Sequence, residues 1–195
     1  IRAGRKPPGL KAQHLVVLRA LRQLARCEAA GARAGSSEVE FTPGPLKGAS
    51  FAVDVGTAGS ITLILQSLIP AACLADGPTD VELTGGTDVR WSPSFDYLRE
   101  VLLPRMPGAQ VELARRGFYP KGGGGVLLKA GPAKPSRLEL IGPARVERVR
   151  VLSAASADLK GARVAERQAG AAKQALAELG VPIEEFRDGD MGPAA

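Results

Sequence analysis

From Gly9 to about Ala30 apolar residues recur at helical spacing, and the segments that follow alternate with a period of two. This switch of period constrains the fold most, because it happens more than once along the chain. Leu10, Val17, Leu18, Leu21, Leu24 and Ala25 share one stripe of the first helix, and Lys11, Arg19, Arg22 and Arg26 form a basic face opposite. Ser37–Phe41 and Phe51–Val55 read as strands flanking a Pro/Gly turn at Pro43–Gly48. A second helix is expected from Gly56-Thr-Ala-Gly-Ser60 to about Ala75; it is apolar nearly all round and so central and buried. Asp80–Thr84 is another strand, and Ser92-Pro93 suits the start of a third helix reaching about Pro104. Strands are expected near Val111–Ala114 and Val126–Lys129, then at Leu138–Ile141, Val146–Leu152 and Val181–Phe186, with an alanine-rich helix over Ala162–Leu179.

The order repeats. Ile1–Val55 and Leu83–Leu128 each run strand end, glycine turn, helix, strand, Lys-Gly turn, strand, which sets Lys47-Gly48 against Lys121-Gly122. Such an order implies tandem α/β units with helices packed on one face of four-stranded sheets. At 195 residues and 45% hydrophobic, the chain can bury a substantial core. Cys27 and Cys73 each fall in an apolar helical stretch without metal-ligand company, and read as buried thiols in a reducing cytoplasm. The longest apolar run, Ile61–Ala75, is interrupted by Gln66, Ser67 and Pro70 and is too short to span a bilayer, so no membrane partner is expected. A net charge of +6 suits a polyanion such as RNA, although many basic proteins bind none. The opening Ile1-Arg-Ala-Gly-Arg-Lys reads like a strand running into a turn, and the last residues close no fold; a fragment is expected.

The single histidine and the lack of a neighbouring cysteine remove Ser-His-Asp, Cys-His and zinc arrangements that need histidine with partners. Four glycine-containing segments remain. In Ile1–His14, Arg2 and Arg5 flank a glycine where guanidinium groups and free amides can hold a phosphate, or form a solvated basic loop. His14 lies on the apolar stripe, as a core residue or a ligand contact. In Gly56–Gln66, the amide of Gln66 within a helix fit for burial must bond to backbone or face a ligand. In Gly85–Tyr97, Trp91 and Pro93 offer flat faces to a base. In Arg115–Gly125, Arg115, Arg116 and Lys121 interleave with Phe118 and Tyr119, a composition suited to single-stranded RNA or to a wide hairpin turn.

These segments, IRAGR…PGL…QHL, GTAGSITLILQ, GGTDV.WSPS.DYL and RRGFYPKGGG, resemble in order and separation the RNA 3′-terminal phosphate cyclase family. The resemblance implies an ATP-dependent enzyme that converts an RNA 3′-phosphate into a 2′,3′-cyclic phosphodiester. ATP first adenylates a histidine, AMP passes to the RNA phosphate, and the 2′-hydroxyl expels it, with a divalent cation (Mg or Mn) assisting. It implies a large domain of α/β repeats over residues 1–145 and the start of a smaller inserted domain over 146–195. Position by position it assigns Gln66 and Pro93 to ATP, and Arg2, Arg5, Gln13, His14, Arg116 and Lys121 to RNA or phosphate. The adenylated histidine is expected beyond residue 195, so this polypeptide alone is expected to form no covalent adenylate. Two other readings are a non-catalytic cyclase-like ribosome-assembly factor and an enolpyruvyl-transferase-like enzyme.

Overall fold

A computed structural model describes residues 1–56, 59–139, 141–142 and 144–187. The chain divides into two compact units, Ile1–Arg137 and Leu138–Ala195.

The first unit is built on a four-stranded sheet in the order β3-β4-β6-β5. β3 (Ser50–Asp54) runs parallel to β4 (Thr79–Gly85); β6 (Gly124–Ala130) is antiparallel to both β4 and β5 (Ala109–Arg115). A parallel pair requires a crossover, and α2 (Ile61–Cys73) provides it between β3 and β4. The strict alternation along β4 sends Val81 and Leu83 inward and leaves Asp80, Glu82 and Thr84 in solvent, so the helices cover one face of the sheet. Ile61, Ile64, Leu65, Leu68, Ile69 and Ala72 of α2 pack there with Leu128 of β6 and with Val16, Ala20 and Leu24 of α1 (Ala12–Ala25). The second helix is thus central, as its sequence requires. Ser60 caps it by accepting the Leu63 N–H at 3.2 Å. Ser60→Ala is expected to cost about 1 kcal/mol, measurable as a shifted urea midpoint at unchanged slope.

Several sequence expectations change. The first helix ends at Ala25, not Ala30: Arg26 is left-handed (φ 43°), and the Leu24 carbonyl accepts the Lys47 N–H at 2.8 Å. The chain then enters β1 (Glu28–Ala30), paired antiparallel with β2 (Glu40–Thr42), so Cys27 lies between helix and strand. Leu10, Leu24 and Ala25 of the expected stripe are buried, but Val16 and Ala20 are buried where Val17, Leu18 and Leu21 are only partly so, while Lys11, Arg19, Arg22 and Arg26 are exposed as expected. Ile1–Lys6 forms a turn, not a strand end: Arg2 has φ 52° and its carbonyl accepts the Arg5 N–H. The third helix starts two residues late, with Ser94 as its cap; α3 (Phe95–Tyr97) continues as a π turn, Leu98–Leu102, and a 3-10 turn, Leu103–Arg105.

The repeat is also redrawn. Lys47-Gly48 precedes β3, which pairs with β4 and not with β2, so it is no hairpin turn. The order helix, strand, antiparallel strand is shared by α1-β1-β2 and α3-β5-β6, which matches residues 31–39 with the glycine-rich loop before β6.

In the second unit, parallel strands β7 (Val149–Ser153) and β8 (Ile183–Arg187) are joined through α4 (Val164–Leu176), with Ala169 buried. Lys173 donates to Glu185 across 3.2 Å, which, with Arg187, holds that half-buried carboxyl below the usual range. Leu138–Ile141 forms no strand among its described residues, and Leu140 lies outside them.

Cys27 and Cys73 are both buried and unbonded, and burial pushes the Cys73 thiol up. The folded state holds that proton more tightly than the unfolded chain, so the associated stability is present at neutral pH and lost as pH rises past the ordinary thiol range. Both thiols are expected to resist iodoacetamide until the chain unfolds. Alkylation of the native protein as fast as of the urea-unfolded chain, followed by mass spectrometry, would contradict this burial.

Candidate functional site

The four glycine-containing segments meet at one edge of the first unit's sheet, where β3 and β4 end and β6 begins. Gly86 donates to the Gly59 carbonyl at 2.7 Å and accepts the Ile61 N–H at 2.8 Å, which ties the second and third segments together. Thr87 and Asp88 both donate to the Gly117 carbonyl, at 2.8 and 3.1 Å, and Gly117 donates back to Thr87 Oγ1 at 2.9 Å. The third and fourth segments therefore run side by side. Gly117 is demanded by this approach: a Cβ there would collide with the backbone of Gly124 and Gly85. From the first segment, the Gln13 amide spans the Ser60 peptide, donating to its carbonyl at 3.5 Å and accepting its N–H at 3.3 Å.

A hydroxyl relay fixes the third segment over α2. The Thr62 hydroxyl donates to the Pro93 carbonyl at 2.8 Å, so the Ser60–Thr62 contact, also 2.8 Å, must use the Ser60 proton. Ser60 Oγ accepts from Leu63 N–H while donating to Thr62. Gln66 lies one turn beyond Thr62 on the same side of the helix. It is half-buried, not fully buried, and its amide has no hydrogen-bond partner among the described residues. Thr57 and Ala58 of the second segment lie outside the described residues.

The fourth segment is anchored by a buried ion pair that the sequence did not suggest. Arg116 donates to Asp88 at 3.1 Å and to both oxygens of Asp96, at 3.1 and 2.9 Å, with its side chain only 6% exposed. Arg99 shares Asp96 at 3.3 Å and holds Glu100 at 2.9 Å. Arg116, expected at phosphate, has its guanidinium engaged by two carboxylates and pins the third segment to the fourth. The two acids, in GGTD and FDY, share a target that lies 28 and 20 residues further along, out of reach of any local pattern. Arg2 is similarly committed, donating to the Gly9 carbonyl at 2.8 Å.

Arg5 and Lys121 are exposed, with no ion pair among the described residues. His14 is half-buried at the start of α1, and its Nδ1 accepts the Lys11 N–H at 3.0 Å. The neutral ring then carries its proton on Nε2, which makes Nε2–H a donor and leaves neither nitrogen with a free lone pair. The described residues contain no cluster of three His, Cys, Asp or Glu side chains fit for a metal ion. Asp88 and Asp96 are both engaged by Arg116.

Taken together, this is an α/β chain whose glycine loops gather amide, hydroxyl and cationic groups at one sheet edge, as a phosphate-handling protein requires. Residues 1–181 match the profile of RNA 3′-terminal phosphate cyclase, and the chain belongs to that family. It is 50% identical over 190 residues to the RNA 3′-terminal phosphate cyclase of Pyrococcus furiosus, covering 94% of this chain and 55% of the relative. The corresponding protein of Pyrobaculum aerophilum is 41% identical over 204 residues, covering 100% of this chain and 58% of the relative. That of Hyperthermus butylicus is 43% identical over 212 residues, again with 100% and 58% covered. The chain thus spans a little over half the length of the curated relatives it matches.

Proposed function

We propose that this chain contributes the nucleotide- and phosphate-binding part of an ATP-dependent RNA 3′-terminal phosphate cyclase, which closes an RNA 3′-phosphate onto the adjacent 2′-hydroxyl. The meeting of all four segments around Ser60, Gly86 and Gly117 carries this reading, since groups distant in sequence then serve one ligand. Gln66 reads the ATP base through its free amide, and Pro93, fixed over the same helix, packs against that base. Arg5, Lys121 and the Nε2–H of His14 supply positive charge and hydrogen bonds to the phosphates of ATP and RNA. Arg2, Gln13 and Arg116 act by holding the loops in place.

The engaged Nδ1 of His14 argues against its being the adenylated residue, and the nucleophilic histidine is placed in the rest of the protein. Its attack on the ATP α-phosphorus releases pyrophosphate; AMP passes to the RNA 3′-phosphate, and the 2′-hydroxyl then displaces AMP. The family resemblance implies a divalent cation, and no cluster of three His, Cys, Asp or Glu side chains among the described residues is arranged to hold one. Residues 1–145 are assigned to the large domain and 146–195 to the start of the insert, which has its first strand at Val149. Two buried unbonded cysteines fit a reducing compartment such as the cytoplasm. No helix among the described residues is long and apolar enough to cross a membrane.

The test is an RNA oligomer labelled in its 3′-phosphate, incubated with the full-length protein and ATP. The label is expected to become resistant to phosphatase only with ATP present; label that stays sensitive refutes the reading. In the same assay Gln66→Ala is expected to raise KM for ATP about tenfold, roughly 1.4 kcal/mol of lost binding, with KM for RNA unchanged.

A further inference from the structure

Trp91 is 96% exposed, which makes it the most solvent-exposed large hydrophobic side chain among those described. It is not on a loose loop. Residues 86–88 are bonded to Gly59 and Gly117, Ser92 donates to the Val89 carbonyl at 2.9 Å, and the Pro93 carbonyl is held by Thr62. Trp91 itself has φ 67°, a conformation bulky residues rarely adopt. The backbone on both sides is therefore fixed while the indole faces water. Beside it, Asp88 and Phe118 are bridged, which brings Tyr119 (67% exposed) and Lys121 onto the neighbouring loop.

The charge around this pair of loops is one-sided. Gly85–Glu100 and Arg115–Gly125 carry five cationic side chains against three carboxylates. All three carboxylates, those of Asp88, Asp96 and Glu100, are paired with arginine. Arg90 and Lys121 remain exposed without an ion pair among the described residues. Exposed aromatics among unneutralised cations are what single-stranded nucleic acid needs: bases stack, and phosphates find counter-charge. A mononucleotide needs enclosure instead, and an indole standing in open solvent does not enclose one.

We propose that Trp91 is a stacking platform for an unpaired base of the RNA substrate, with Arg90 and Lys121 following its backbone. The proposal rests on the cyclase reading for the identity of the RNA, but binding tests it without the reaction. The probe is a fluorescein-labelled oligoribonucleotide ending in a 3′-hydroxyl, titrated with full-length protein in the absence of ATP and followed by anisotropy. Trp91→Ala is expected to weaken binding about tenfold, and Trp91→Phe to stay within about threefold of the wild type, since a smaller ring still stacks. RNA is also expected to quench the part of the tryptophan emission that Trp91→Phe removes, and ATP alone to leave it unchanged.

Equal RNA affinity of wild type and Trp91→Ala overturns the proposal. So does quenching of the Trp91 emission by ATP alone, which would make the ring part of the nucleotide site. A changed oligomeric state of Trp91→Ala at unchanged RNA affinity overturns it in favour of a protein contact. If the protein cyclises RNA while Trp91→Ala binds normally, the platform fails and the cyclase reading stands. If RNA binding depends on Trp91 but no cyclisation occurs, the reverse holds.

Discussion

Arg116→Ala is expected to destabilise the protein by about 3 kcal/mol, because it takes the arginine from the partly buried Asp88 and leaves Asp96 with Arg99 alone. The Arg116 side chain is 6% exposed and reaches Asp88 and Asp96 at 2.9 to 3.1 Å. The loss should appear as a lower urea midpoint of the first unit at similar slope. Adding Asp88→Asn and Asp96→Asn to Arg116→Ala is expected to recover part of it, since the uncompensated charge is then gone. A single variant as stable as the wild type would mean that the pair is solvated in solution. Surface ion pairs such as Arg148–Glu184, 4.0 Å apart and well exposed, are expected to contribute nothing comparable.

Gly117→Ala is expected to cost about 3 kcal/mol, the upper part of the usual range for overpacking. The added methyl would collide with backbone on two sides, at Gly124 and at Gly85, and neither can rotate away as a flexible side chain can. The carbonyl that accepts from Thr87 and Asp88 would move with it, so the loop bearing Trp91 and Pro93 should be displaced as well. Gly125→Ala is the control, because its Cβ would meet only Ala114 Cβ at an ordinary 3.7 Å. Thermal unfolding of the two variants should differ by several degrees; equal melting temperatures would contradict the close backbone approach.

The elements were legible in the sequence where a pattern depends on local residues alone. The alternation in Asp80–Thr84, the apolar run at Val126–Leu128 and the all-round apolar character of α2 each gave the right element in the right place. Boundaries failed where a distant group decided them. Nothing local in Leu24–Ala30 tells that the Lys47 N–H takes the Leu24 carbonyl or that Glu28 pairs with Thr42. Likewise Ser92 and Ser94 are equal as caps by residue type, and the Thr62 bond to the carbonyl of Pro93 keeps that residue outside the helix.

For the site, residue types were more informative than roles. The glycine segments were recognisable, but whether an arginine in them faces a ligand or a carboxylate depends on partners far along the chain. Arg2 and Arg116 turned inward, and Arg5 and Lys121 did not. Gln66 posed a definite question in the sequence, and its amide has no hydrogen-bond partner among the described residues.

The central claim is that a nucleotide sits where these segments meet. Photolabelling the full-length protein with 8-azido-ATP, followed by peptide mapping, tests it most directly. The account predicts label within Gly59–Gln66 or Ser92–Phe95, reduced by excess ATP. At the far end of the same sheet lies a separate cavity of about 180 Å³, lined by Pro70, Cys73, Met106 and Pro135 among others. ATP-protected label confined to that cavity would contradict the account.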